Sequence, residues 1–521
     1  MTSLDTKLTK LRTVINENIR TQLSSKDVEY ISSGHTLTDI QSKQSHCIFA
    51  RRGCGKTLLL HHSTKSLNER VKSIYINCED FKHHSFPNVL IEIVGSVFVE
   101  LEKNITAWFG RKKRLKEIIS ELRKDLDRLK IQPDSTTVTV TDSKKEKTDM
   151  KSSAGVGIKL TAESTTFGWG EEDNYSKQQD VEKKYEKNEN KLLDLNHNLP
   201  SYKSKIKEFF EVSKKIDSVF IQLDDFYQLT RVDQPFVADY VHRLCKDTPL
   251  KFKIATLKHN SILYIERNKQ PIGIQERHDY QPLNIDFNFE DFEKTRNQNK
   301  GIFHEYAKLA GMTVAEFDSL FKGEGFDRLI LAGGGVPRDC LSFFLEVLEK
   351  VRSNGSDGKI GKDDVRYLSR QTFERRIDEL KQDSDGQDQG NLLRGIHAIR
   401  EFCLSKKTNV FLIEDTEMQR NDDFKTLIYR LMDYRIVHNV ANSSTHKSHK
   451  GLNFQAYAID VGCYAYMRNL DGKLSEINLL DADVKEKMRS VPILELKVFK
   501  DIWDESKEIS AETALQNQEQ V

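Results

Sequence analysis

Three absences narrow the field before any motif is read. No run of about 18 apolar residues occurs in the 521-residue chain, and Met1-Thr2-Ser3-Leu4-Asp5 lacks the apolar core of a signal peptide. The expectation is a cytoplasmic chain with no membrane anchor of its own. An excess of one charge is missing too: 81 basic residues meet 80 acidic ones, a net charge of +1. No global field draws the chain to nucleic acid or membrane, so any such binding must be local. The third absence is cysteine pairing. Cys47, Cys54, Cys78, Cys245, Cys340, Cys403 and Cys463 lie far apart with no Cys-x-x-Cys, which argues against zinc sites and disulfide frameworks and leaves reduced thiols.

What is present is 37% hydrophobic and 31% charged sequence, fitting a charge-rich, mostly helical protein long enough for about two to four domains. The organising stretch is Ala50-Arg51-Arg52-Gly53-Cys54-Gly55-Lys56-Thr57, set between the apolar run Cys47–Ala50 and a helix-like run from Thr57. It reads as a phosphate-binding P-loop, against the bland alternative of a Gly-rich turn. Backbone N–H groups from Arg52 through Leu58 can curl around phosphates, Lys56 reaches the β- and γ-phosphates, and the Thr57 hydroxyl can ligate Mg²⁺. Ala50 replaces the usual first glycine, which the strand end tolerates.

Val71–Cys78 alternates and is β-branched, so it reads as a second strand, with a helix through Val89, Ile93 and Val97 after it. Strand, helix, strand, helix predicts a parallel sheet. Residues 100–215 interrupt it. Leu115, Ile118, Ile119, Leu122, Leu126 and Leu129 keep helical spacing; further charged helical stretches span 175–195 and, after Pro200, 202–215. Between them Thr136–Thr141 and Gly155–Ala162 alternate with period two. The segment reads as an inserted antiparallel stalk with a β-like tip ending in Phe167-Gly168-Trp169, or else as a solvated loop.

Ser218–Asp225 returns to the sheet: an apolar strand ending in two carboxylates, a Walker B element. Asp224 would hold Mg²⁺ and Asp225 would orient or deprotonate the attacking water; the alternative is a solvated acidic turn. Lys251–Leu257 is a further strand whose exit, Thr256, either reports on the γ-phosphate or serves only neighbouring backbone. Leu283–Phe287 would close the sheet.

From Phe289 the pattern is helical. Gly333-Gly334-Gly335 ends one helix, Pro337 opens the next, and Arg338 in its first turn can face a phosphate across a cleft or pair with Asp339. Residues 383–390 read as a linker. Beyond it, helix, helix, strand, basic loop and strand make a winged-helix arrangement, with Thr445–Lys450 as the wing. Lys447 and Lys450 would neutralise DNA phosphates, and Lys425, Arg430 and Arg435 are the basic residues of the reading helix, which starts with the acidic Asp422-Asp423; a protein-docking role is equally open. Residues 496–521 read as a frayed charged tail.

In this order, the P-loop, Tyr75-Ile76-Asn77-Cys78, Asp224-Asp225, Gly334-Gly335-Val336-Pro337-Arg338 and the terminal winged helix resemble the AAA+ and STAND-type ATPases, most of all the origin-recognition initiator-like branch. The resemblance covers roughly 40–100, 216–350 and 391–460, and leaves the insertion without counterpart. It implies ATP and Mg²⁺ as cofactors and a site built from Lys56, a sensor (Thr256) and a lid arginine (Arg338). It also implies a homo-oligomer in which Arg243, Arg267 or Arg277 completes a neighbour's site. Those ATPases usually carry Glu after the Walker B Asp; Asp225 is shorter, which fits slow turnover or a nucleotide-held switch. Bacterial defence and mobile-element proteins of this build suggest the context.

The expected organisation is an α/β P-loop NTPase core (1–99 and 216–288), an inserted stalk (100–215), a helical lid (289–382), a winged-helix domain (391–495) and a tail. The expected function is an ATP-binding, slowly hydrolysing switch that assembles and engages a protein partner. The rival is a DNA-binding initiator or loader ATPase.

Overall fold

The computed structural model describes residues 3–19, 28–31, 34–65, 67–105, 109–131, 189–267, 269–353, 358–384, 386–464, 476–479, 481 and 483–505. The expected tip strands and Phe167–Trp169 lie outside the described residues. Two helices, α1 (Ser3–Asn18) and α2 (Thr36–Ile40), precede β1 (His46–Phe49), which runs through the P-loop into α3 (Lys56–Lys65). Then come β2 (Val71–Asn77), α4 (Asn88–Lys103) and two long helices, α5 (Phe109–Ile131) and α6 (Glu189–Ser213). The sheet resumes with β3 (Ser218–Asp224), α7 (Gln234–Cys245) and β4 (Leu250–Thr256). A hairpin, β5 (Tyr264–Arg267) and β6 (Gln270–Gly273), leads to β7 (Gln281–Asn284).

Five parallel strands form the sheet in the order β2-β3-β4-β1-β7. The fold is therefore α/β. All seven residues of β3 are buried, as an apolar strand covered by helices on both faces must be. Every carboxyl end points to one rim, where such sheets bind ligands. The closing strand lies slightly earlier than Leu283–Phe287: Pro282 is tolerated because β7 is an edge, and Asp286 is drawn off by Arg51.

The helical arms after α4 are not a free-standing stalk at their bases. Leu115, Ile118, Leu122, Leu195, Tyr202 and Phe209 are buried in the apolar cluster that also holds α4 and one face of the sheet. Helix α6 runs through Pro200 without a break, where two helices had been expected. A proline removes one intrahelical bond, and here Leu199 and Tyr202, both buried, hold the turn on either side.

The lid consists of α8 (Phe292–Leu309), α9 (Val314–Asp318), α10 (Gly325–Ala332), α11 (Pro337–Ser353) and α12 (Lys362–Asp383). The C-terminal module follows as α13 (Gly386–Ser405), β8 (Val410–Glu414), α14 (Asp415–Arg420), α15 (Asp422–Asp433), β9 (Val437–Ser444), β10 (Phe454–Ile459), α16 (Val484–Met488) and α17 (Leu496–Glu505). Its three strands pair antiparallel in the order β8-β10-β9.

Two expectations change here. The stretch 383–390 is mostly helix: α13 begins at Gly386, and Asp388 is held by Arg430 at 3.2 Å. Residues 496–505 of the expected tail form α17, whose Phe499 and Trp503, four residues apart, are buried, with Arg394 stacked 4.4 Å over the Trp503 ring.

The apolar clusters divide the molecule in an unexpected way. One continuous cluster joins the lid, the C-terminal module and the inner face of α1 (Leu8, Leu11, Ile15); the sheet and its helices hold two more, the smaller of which takes in Val336 of the turn before α11. Helix α1 thus packs on the lid, and Lys7–Glu316 and Arg12–Glu349 pairs flank it. All seven cysteines are buried and unpaired. Among the described residues no helix is long and apolar enough to cross a membrane.

Candidate functional site

The P-loop lies where the sheet meets the lid. Gly53 and Gly55 both have φ 89°, a region that disfavours side chains. Gly53 is doubly constrained: a Cβ there would lie 2.8 Å from Cβ of Arg338 and 2.9 Å from Cγ1 of Val336. The lid rests on the loop, and the Arg338 N–H donates to the Gly53 carbonyl at 3.3 Å. Lys56 opens α3, is buried, and curls back so that Nζ donates to the carbonyls of Ala50 (3.0 Å) and Arg51 (3.3 Å).

Asp224, fully buried at the end of β3, accepts from the Tyr75 hydroxyl at 2.8 Å and from the Asp225 N–H at 2.9 Å. Asp225 adopts a left-handed conformation (φ 47°), which Asp tolerates better than most residues. Burial pushes its carboxyl pKa up and Asp224 adds repulsion, against the pull of Lys56, Arg52 and Arg338.

Arg52–Leu58, Asp225, Pro337 and Arg338 line one cavity, partly open to solvent. Its other wall is apolar and aromatic: Ile19, Tyr30, Ile31, Ile302, Tyr306 and Leu341. The N-terminal segment thereby reaches the site. A phosphate-sized, cation-rich end and an apolar end make a pocket suited to a nucleotide.

Two predicted site residues stand apart from the cavity. Thr256 is fully buried at the end of β4, and its hydroxyl pairs with that of Ser261. Asp224 lies behind Asp225, bonded as described. Arg52 does border the cavity, yet its guanidinium turns toward the lid, donating to the Tyr227 hydroxyl (3.0 Å) and to Asp383 (3.1 Å). Tyr227 also faces Lys56 Nζ, 5.9 Å from its ring centre. Neither Tyr227 nor Tyr75 carries a sequence signal beyond following or facing the Walker B strand. Among the described residues no cluster of three or more His, Cys, Asp or Glu side chains is placed to hold a metal. A cation here would share Thr57, the carboxylates and the nucleotide's own oxygens, as Mg²⁺ commonly does.

The C-terminal basic residues are placed differently from a reading helix. Arg430 and Arg435 are buried, Arg430 donating to Asn260 at 2.9 Å. Lys447 pairs with Glu486 at 3.0 Å, and Lys450 is exposed. Of the arginines expected to serve a neighbour, Arg243 is engaged by Asp239 and Asn196, Arg267 sits on β5, and Arg277 is the most exposed, beside Glu276.

No protein-family model matches the chain, and no curated protein matches its sequence. Among solved structures it is similar to the ORC2 protein of Aeropyrum pernix in ADPNP and ADP complexes, at 10% identity and a TM-score of 0.35, covering 96% of this chain and 94% of that one. A Walker-type ATPase of Pyrococcus abyssi is similar at 12% identity and a TM-score of 0.38, covering 85% and 99%. Drosophila ORC bound to DNA is similar at 11% identity and a TM-score of 0.31, covering 88% and 90%. The fold assignment rests on the strand order and the P-loop themselves.

Proposed function

We propose that this chain is an ATP-binding, slowly hydrolysing switch of AAA+ build, whose nucleotide state governs self-assembly and engagement of a protein partner. The observation that carries this is one cavity uniting the P-loop and Asp225 of the sheet side with Arg338 of the lid. Lys56 and Arg338 would hold the γ-phosphate from the two sides, and the P-loop N–H groups would hold the β-phosphate. Thr57 would ligate Mg²⁺ and Asp224, set back from the cavity, would hold it through water; when bound, the ion neutralises phosphate charge. Asp225 would orient water, and Thr256 would act through Ala50, whose N–H donates to the Thr256 carbonyl.

DNA engagement through Lys447 and Lys450 is the weaker reading, because Arg430 and Arg435 point inward and Lys447 is already paired. The test is ATP binding and mass distribution of the full chain with and without ATP. Lys56→Ala is expected to weaken ATP binding by about 100-fold or more, since a charge-assisted phosphate contact is lost, and to abolish any ATP-dependent change in mass. Wild type that neither binds ATP nor changes its assembly would end the proposal.

A further inference from the structure

The seam between the sheet and the lid with its C-terminal module is crossed by buried guanidinium groups that the nucleotide chemistry does not require. Arg435, just beyond α15, is 2% exposed and left-handed (φ 61°). Its Nη1 donates to the backbone carbonyl of Arg52 in the P-loop at 3.1 Å, and its Nη2 pairs with Glu379 of α12. Its Nε lies 3.3 Å from Oδ2 of Asp339, the residue after Arg338. One side chain of the C-terminal module therefore touches the phosphate loop and the turn that carries the lid arginine.

Arg376 of α12, 1% exposed, aims its own Nε at the same Asp339 oxygen from 3.5 Å while pairing with Asp460 of the C-terminal module. Neither Nε–H makes a hydrogen bond. Charge-assisted N–H···O bonds normally close to about 2.7–2.9 Å, so a small displacement of Asp339 would complete contacts that this lid position leaves open. Arg338 precedes Asp339 on the same helical turn and would move with it. A second anchor lies two residues before Arg435: Asp433 accepts from the N–H groups of His259 (3.0 Å) and Asn260 (2.9 Å), in the loop after β4. Strand β4 is the neighbour of β1, so the end of α15 grips both strands that deliver the site.

We propose that Arg435 is a positioning residue for the nucleotide site, setting the Arg52 carbonyl and, through Asp339, the place of Arg338, so that nucleotide binding and docking of the C-terminal module are coupled. This rests on the ATP-binding reading above. Coupling free energy is reciprocal: if docking favours nucleotide, nucleotide must favour docking by the same factor.

The experiment uses the full chain, a fluorescent ATP analogue and amide hydrogen exchange. Arg435→Gln is expected to weaken ATP binding at least about fivefold, Arg435→Lys less, because an ammonium keeps charge without spanning all three acceptors. In an Arg338→Ala background the Arg435→Gln effect should largely vanish, since the arginine it positions is gone. ATP should slow exchange across residues 428–440 in wild type and not in Arg435→Gln. If Arg435→Gln does not fold, Asp339→Asn carries the same cycle from the lid side. Additive effects in the cycle, or equal ATP protection in wild type and variant, overturn this proposal alone. Wild type that binds no ATP overturns the nucleotide reading and this coupling with it.

Discussion

Lys253 is a buried amine with no carboxylate partner among the described residues. Its Nζ donates to the carbonyls of Ser42 (2.8 Å) and Gln44 (2.7 Å), meets His46 Nδ1 at 2.9 Å and lies 4.4 Å above the Phe220 ring. Burial, helped by Lys251, brings its pKa down to about 7. The unfolded chain holds this proton up to about 10.4, so between those values it binds more protons than the folded one, and stability must rise with pH across that window. Lys253→Met is expected to remove that rise. It should also lower stability by about 1–3 kcal/mol near neutrality, because two carbonyls lose their donor. Melting temperatures of both proteins between pH 7 and 10 test this; parallel curves would refute it. At Asp225 the sign is opposite. A raised carboxyl pKa means the ionised form proposed to orient water is reached at higher pH than for an ordinary carboxylate, so the acid limb of any ATP hydrolysis should shift upward. Asp225→Asn, whose side chain also tolerates the left-handed backbone, should cut kcat by about 10²–10⁴-fold and keep ATP binding, as single-turnover and binding assays would show.

At the level of elements, the P-loop was readable because its chemistry is local: glycines at positive φ, a lysine and a hydroxyl in consecutive residues. Its contact with the lid was not, since Gly53 and Val336 lie far apart in the chain. Gly53→Ala should force the lid away from the loop, opening the cavity and weakening ATP binding by about tenfold or more, with a larger radius of gyration in solution scattering. An unchanged radius and affinity would argue that the lid is free. Helix α17 shows the reverse failure. Its charged residues suggested a tail, yet Phe499 and Trp503 share one face and lock onto α13 and α15, with Phe424 and Phe499 rings 4.9 Å apart. Trp503→Ala should destabilise the C-terminal module by about 3–5 kcal/mol, measured by chemical denaturation. A loss under 1 kcal/mol would show that α17 is dispensable.

Across the whole molecule, a sheet with its helical arms meets, at the P-loop cavity, a lid fused to the C-terminal module and to α1. If ATP draws them together, binding should reduce exchange on both sides of the seam at once, at Arg52–Leu58 and at Pro337–Leu341. Protection confined to the P-loop would mean that the lid does not respond. The alternation of strands and helices, the P-loop motif, the paired carboxylates and the glycine turn before Arg338 can all be read from residue order, because periodicity and short-range chemistry need only neighbouring residues. Folding alone sets α1 against the lid, turns Thr256 to Ser261, and faces Arg430 and Arg435 inward instead of outward. Those outcomes depend on which distant carboxylate, carbonyl or apolar face arrives beside each side chain. A buried guanidinium reads in sequence like any exposed one until its acceptors are in place.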